Sequence, residues 1–171
     1  MISRITSRLR NAILFHRIYS SMKYASIFLF ACSLMAETAN MGGNWVLNEQ
    51  RSRFGDNPRP GNVFLTIEHN EPKLKYTGTV NQPTEGSIQD FSFDGAIDGK
   101  EYTIKQDGGD RKVVFKRIND RTVESVQSLN GGQLRSVMTM SSDRKTLERT
   151  MNFKDRDGKN RTWTEIYEKK Q

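Results

Sequence analysis

The chain has 171 residues, 35% of them hydrophobic and 27% charged, with a formal net charge of +7; this length suits one domain with one sizeable core. Arg4, Arg8, Arg10, Arg17 and Lys23 against the single acid Glu37 place four of those seven charges in residues 1–40, and the other three are scattered without a basic stripe, which argues against a nucleic-acid partner. The only cysteine, Cys32, lies in the same early stretch and the only later histidine is His69, so residues 41–171 carry no disulfide, thiolate nucleophile or zinc site of the usual kinds.

Met22-Lys23-Tyr24 and the apolar run Ala25–Ala36 read as a basic region, a short hydrophobic region and a small residue near a cleavage point. The run is about a dozen residues, too short to cross a bilayer that needs roughly 20. Residues 1–39 are therefore expected to be a signal segment, with Met22 as an alternative start, and the protein to be secreted or periplasmic. Two other readings stay open. Leu29-Phe30-Ala31-Cys32 resembles a bacterial lipobox, which would make Cys32 a lipid anchor, and the first 36 residues hold Arg and Ser but no acid, as mitochondrial transit peptides do.

From residue 42 the chain alternates in the manner of strands. Gly43-Asn44-Trp45-Val46-Leu47 opens the series, and residues 49–61 form a loop with two prolines, long enough to matter at a barrel mouth. Val63, Leu65 and Ile67 follow, then the turn Asn70-Glu71-Pro72, then Leu74, Tyr76 and Val80 before a second loop at 81–86. Phe91 and Phe93 mark the next strand, Asp98-Gly99 the next hairpin, and Tyr102 and Ile104 the strand after it. Val113, Phe115 and Ile118 lead to Asn119-Asp120, and residues 123–129 lead to the hairpin Asn130-Gly131-Gly132. Leu134, Met138 and Met140, then Leu147, Met151 and Phe153, precede Asp155-Arg156-Asp157-Gly158 and the last strand. About ten strands, short connections and no convincing helix predict an all-β, up-and-down antiparallel barrel over residues 42–171.

The last strand places Trp163, Glu165 and Tyr167 on one side and Thr162, Thr164 and Ile166 on the other. Glu165 either points inward and receives a cationic or hydrogen-bond-donating ligand beside two rings, or pairs with an internal arginine such as Arg149 or Arg135, or the strand faces solvent on that side. The apolar candidates for the lumen are Leu65, Ile67, Tyr76, Phe91, Phe93, Tyr102, Ile104, Phe115, Met138, Met140 and Met151, while Trp45 reads as a plug at the closed end. Asp155–Asn160 lacks the glycine and glutamate positions of a calcium loop and reads as a charged turn, and His69 reads as a surface residue at a strand end.

Gly43-Asn44-Trp45-Val46-Leu47 resembles the Gly-x-Trp-x-Leu start of the calycins, the superfamily of lipocalins and fatty-acid-binding proteins. Thr164-Glu165-Ile166-Tyr167-Glu168-Lys169 is similar to the end of the fatty-acid-binding branch, and residues 42–169 resemble exported bacterial lipocalin-like proteins. The resemblance implies a ligand in the lumen. That branch grips a carboxylate with an Arg-x-Tyr pair in the last strand; the tyrosine matches as Tyr167, but Glu165 stands at the arginine position. Its second arginine falls near Met138, and its two-helix lid has no room in residues 49–61.

The resulting expectation is an exported barrel, not an enzyme, that takes a small apolar or amphipathic molecule. Tyr167, Glu165, Trp163, Arg149, Met138, Phe115, Tyr102 and Tyr76 are its candidate ligand contacts, and no cofactor or metal is expected. The alternative is a filled barrel that serves the cell envelope as a structural or protein-interaction module. A catalytic Ser–His–Asp or Cys–His arrangement would have to rest on His69 alone.

Overall fold

Alternating side chains commit each segment to a strand, and glycine- or asparagine-bearing turns fold it back on the last. A computed structural model describes residues 38–57, 59–82, 87–129 and 131–170; residues 1–37 of the expected signal segment, with Met22 and Cys32, and Asn130 lie outside them. The strands are β1 (Gly43–Leu47), β2 (Val63–Asn70), β3 (Lys73–Gln82), β4 (Ser87–Ala96), β5 (Glu101–Gln106), β6 (Arg111–Asn119), β7 (Thr122–Leu129), β8 (Gly132–Met140), β9 (Thr146–Asp155) and β10 (Asn160–Lys169). Each pairs antiparallel with its neighbours in sequence, and β1 pairs with β10 through Trp45↔Lys169, Val46↔Glu168 and Leu47↔Tyr167. The sheet closes into a ten-stranded barrel without a crossover, as the alternating pattern and short turns predict.

One end of the barrel is packed solid. The start of β3 and β9 and the end of β4 and β8 meet there, bringing buried Leu74, Leu147, Ile97 and Met140 beside Trp45, which is 1% exposed. Trp45 is thus the plug its position predicted. Residues 38–42 run across the same end. Ala39 N–H donates to the Asp120 carbonyl at 2.7 Å in the β6–β7 turn, Met41 N–H donates to His69 Nδ1 at 3.0 Å, and Trp45 Nε1 donates to the Met41 carbonyl at 3.0 Å. These bonds satisfy polar groups that would otherwise be stranded in an apolar plug.

The strand-end histidine departs from expectation. His69 is buried, because it continues the inward series Val63, Leu65, Ile67 of β2. Its Nε2 lies 2.7 Å from Glu71 Oε2, and Glu71 is also bound by Arg117. With Nδ1 accepting from Met41, Nε2 carries the proton toward Glu71. Ile118 is exposed: inward positions on β6 are the odd-numbered Val113 and Phe115, and Ile118 falls on the other face. Ile166, on the outer face of β10, is nonetheless buried, because the β1–β2 connection lies along β10. Asn48 N–H donates to its carbonyl at 2.7 Å, its own N–H donates to Ser52 Oγ at 2.9 Å, and Arg53 bridges to Thr164.

Candidate ligand-binding cavity

The opposite half of the barrel is hollow. A cavity of about 540 Å³ reaches from the barrel centre to the end where β2, β6, β8 and β10 begin. Its walls are mainly apolar, from Leu65 and Ile67 of β2, Phe91 of β4, Ile104 of β5, Met138 of β8 and Met151 of β9. The loop between β1 and β2 reaches this mouth, where Asn57 and Pro60 line it while Phe54 is buried.

An aromatic floor divides the hollow half from the packed half. Tyr76 stacks on Phe93 with ring centroids 5.2 Å apart, and Phe93 lies 4.7 Å from Phe115. Tyr76 and Phe115 face the cavity, whereas Phe93 is held beneath them. Gly78 makes room for the wall above, since a Cβ there would come within 2.2 Å of the Phe91 ring and 2.8 Å of Leu65.

A polar cluster is built into this apolar wall. The inward series of β10 aligns Trp163, Glu165 and Tyr167, and β9 sets Arg149 opposite Glu165 in register. Trp163 Nε1 donates to Glu165 Oε1 at 2.9 Å, and the Tyr167 hydroxyl donates to Oε2 at 2.8 Å. Arg149 NH1 stands 3.6 Å from the same Oε2, and its Nε donates to Ser136 Oγ at 2.9 Å. The internal arginine that answers Glu165 is thus Arg149; Arg135 pairs with Glu124 instead. Burial opposes the Arg149 charge, yet Glu165, Tyr167 and Tyr76 together hold its pKa above the ordinary value. Burial drives the Tyr167 hydroxyl well above its usual range, reinforced by the negative charge of Glu165. Burial also raises Tyr76 to about 12.

Of the residues expected to meet a ligand, Tyr76, Phe115, Met138, Arg149, Trp163, Glu165 and Tyr167 line the cavity. Tyr102 does not. It stands two residues before Ile104 on the inward series of β5, on the packed side of the floor, edge-on to Phe93 at 5.9 Å, with its hydroxyl on Asp98 Oδ2 at 3.1 Å. Met140 and Phe93, expected in the lumen, likewise fill the packed half. The expectations omitted Ser125, Gln127 and Ser136 of the wall and Arg111 and Arg161 of the mouth. Parity could have found the two arginines, since Arg111 precedes Val113 and Arg161 precedes Trp163 by two residues.

No protein-family model matches the chain, and no curated protein matches it. Solved structures do. The zebrafish ileal bile acid-binding protein complexed with cholic acid is 13% identical, with a TM-score of 0.55 over 77% of this chain and 100% of its own. A mutant of the fluorescent protein UnaG is 17% identical, with a TM-score of 0.49 over 75% of this chain and 94% of its own. At such identities the likeness to the bile acid-binding protein is one of fold, the closed barrel of ten up-and-down strands.

Proposed function

We propose that this protein is an exported binding barrel that holds a small, mostly apolar or amphipathic molecule in its lumen and catalyses no reaction. The observation that carries the reading is the cavity of about 540 Å³, which falls within the roughly 300–1,000 Å³ of small-molecule sites and has their makeup, apolar walls with few polar groups. A filled envelope module has no use for such a space. The bile acid bound by the zebrafish protein of the same fold supports a hydrophobic or amphipathic occupant. Export is supported by the basic and apolar run Met22–Ala36 and by the resemblance to exported bacterial lipocalin-like barrels.

In this mechanism affinity comes from burying apolar ligand surface against Leu65, Phe91, Met138 and Met151, at about 25 cal/mol per Å² before the costs of association. Methionines accommodate varied shapes. The Tyr167–Glu165–Arg149 cluster keeps one wall polar and fixed, and so orients whatever polar edge the ligand carries. Native mass spectrometry of the purified protein, followed by a thermal-shift screen of lipids, haem and cationic and anionic amphiphiles, tests the reading. A co-purifying mass or a ligand-dependent rise in Tm is expected, because a ligand that binds only the folded state stabilises it. A clean apo mass with no shift from any class overturns it. The intact mass also reports whether the chain begins after Ala36 or Ala39, or at a lipidated Cys32.

A further inference from the structure

We propose that Arg111 and Arg161 form an anion subsite at the cavity mouth, so that the occupant is an amphipathic anion held head outward, with its apolar end on the floor of Tyr76 and Phe115. The proposal rests on the lumen-binding reading and adds to it the ligand's charge and direction.

The first argument is a charge balance. Three guanidinium groups line the cavity, those of Arg111, Arg149 and Arg161, against the single carboxylate of Glu165. Arg149 is the one that Glu165 and Ser136 satisfy. Arg111 and Arg161 have no carboxylate partner among the described residues, whereas Arg51, Arg117 and Arg135 each hold a glutamate. Arg161 is exposed at the rim, whereas Arg111 is half-buried; a cation partly withdrawn from water without a counter-charge, as Arg111 is, is costly, and an incoming anion removes that cost. Burial indeed lowers the Arg111 pKa, the direction expected of a desolvated and uncompensated cation.

The second argument is position. Both arginines occupy the first inward places of their strands, above Val113 and Trp163, where the cavity opens. Three strands lie between β6 and β10 around the barrel, so the two long side chains approach the opening from different sides. The Arg161 guanidinium lies over the Phe153 ring, 4.9 Å from its centroid, which holds it against the wall. Gln106 and Asn57 line the same opening, the Asn57 amide donating to the Phe54 carbonyl at 2.8 Å.

The third argument is exclusion of the other direction. A carboxylate pushed inward to Arg149 would meet Glu165, and like charges repel in that low-dielectric wall. A cation fares no better, because the Arg149 guanidinium, 3.6 Å from Glu165 Oε2, already answers that carboxylate and repels a second positive charge.

Calorimetric titration of the full chain with decanoate, decanol and decyltrimethylammonium tests the subsite. Decanoate is expected to bind about tenfold or more tightly than decanol, the scale of one charge-assisted hydrogen bond, and to weaken with added salt while decanol does not. The variant Arg111→Gln/Arg161→Gln is expected to bind decanoate no better than decanol and to leave decanol unchanged. Arg135→Gln, which removes an arginine that pairs with Glu124 and does not line the cavity, is expected to keep the preference. Equal binding of decanoate and decanol, or a preference that survives in the Arg111/Arg161 variant, overturns the subsite and leaves the lumen reading standing. Failure of all three probes, together with a clean apo mass, overturns both.

Discussion

The Tyr167 hydroxyl donates to Glu165 Oε2 at 2.8 Å, along the same inward face of one strand. Trp163 claims the other oxygen and Arg149 faces the pair, so an acidic side chain in the middle of an apolar wall is fully engaged. The cluster explains how the barrel tolerates Glu165 at the place where the resembling family keeps an arginine. The charge is answered from the next strand by Arg149, with both polar rings holding the carboxylate still.

Removing both members should therefore cost less than the sum of removing each alone. Glu165→Leu leaves Arg149 buried without its counter-charge and should destabilise the barrel by about 3–5 kcal/mol. Arg149→Met together with Glu165→Leu should be less damaging than the sum of the two single changes. Urea unfolding with an unchanged m-value checks both; an additive double variant would mean the pair contributes nothing as a pair.

The two lumen tyrosines set an alkaline limit. Burial raises Tyr76 to about 12 and raises Tyr167 well above its ordinary value of 10. A raised folded-state pKa means the fold favours the neutral phenol. That stability is whole below about pH 10 and is lost as the pH rises toward 12 and the unfolded chain ionises first. Absorbance titration at 295 nm should show Tyr76 and Tyr167 ionising late, together with loss of near-ultraviolet circular dichroism, and Tyr167→Phe should remove one late group.

How much of this was legible in the sequence follows from parity. The strand period of two is strong enough that Val63, Leu65 and Ile67, or Trp163, Glu165 and Tyr167, could be placed inward from the letters alone, and the closed order follows from short turns. What parity lacks is height along the barrel axis. Tyr102 and Ile104 share a face, yet only Ile104 reaches the cavity, because the boundary between packed and hollow halves is drawn by the rings of Phe93 on the neighbouring strand, Tyr76 and Phe115, whose stacking no strand period records. Arg111 and Arg161 are absent from the expected lining although parity places them inward, because a charged side chain at the start of a strand carries no mark of the mouth it reaches. His69 was read as exposed because its strand was judged to end one position too soon, and its burial depends on residues 38–42, which cross from outside the sheet.

An acid limit should lie at the packed end. Burial alone would raise the Glu71 pKa, but hydrogen bonds from Arg117 and His69 outweigh it and hold it below the ordinary 4.5. A depressed pKa contributes stability that is present above about pH 4.5 and lost as the pH falls through the lower folded-state value. Glu71→Gln should be less stable than the parent at neutral pH and equal to it in strong acid, so the two unfolding curves should converge as the pH drops. Curves that stay parallel would remove Glu71 from the acid response.

The same end offers a local test. Met41 N–H has His69 Nδ1 as its acceptor, and Met41 is fully buried. His69→Ala removes that acceptor and opens space beneath residues 38–42, at a cost of about 1–3 kcal/mol for the stranded donor. Hydrogen exchange should accelerate selectively at Ala39 and Met41, whose bonds reach His69 and the β6–β7 turn, while the amides of β8 and β9 keep their protection. His69→Asn, which can still accept from Met41 through its side-chain oxygen, should restore part of that protection. Uniform acceleration across all strands would instead mean that the strap has no separate stability and opens only when the barrel unfolds.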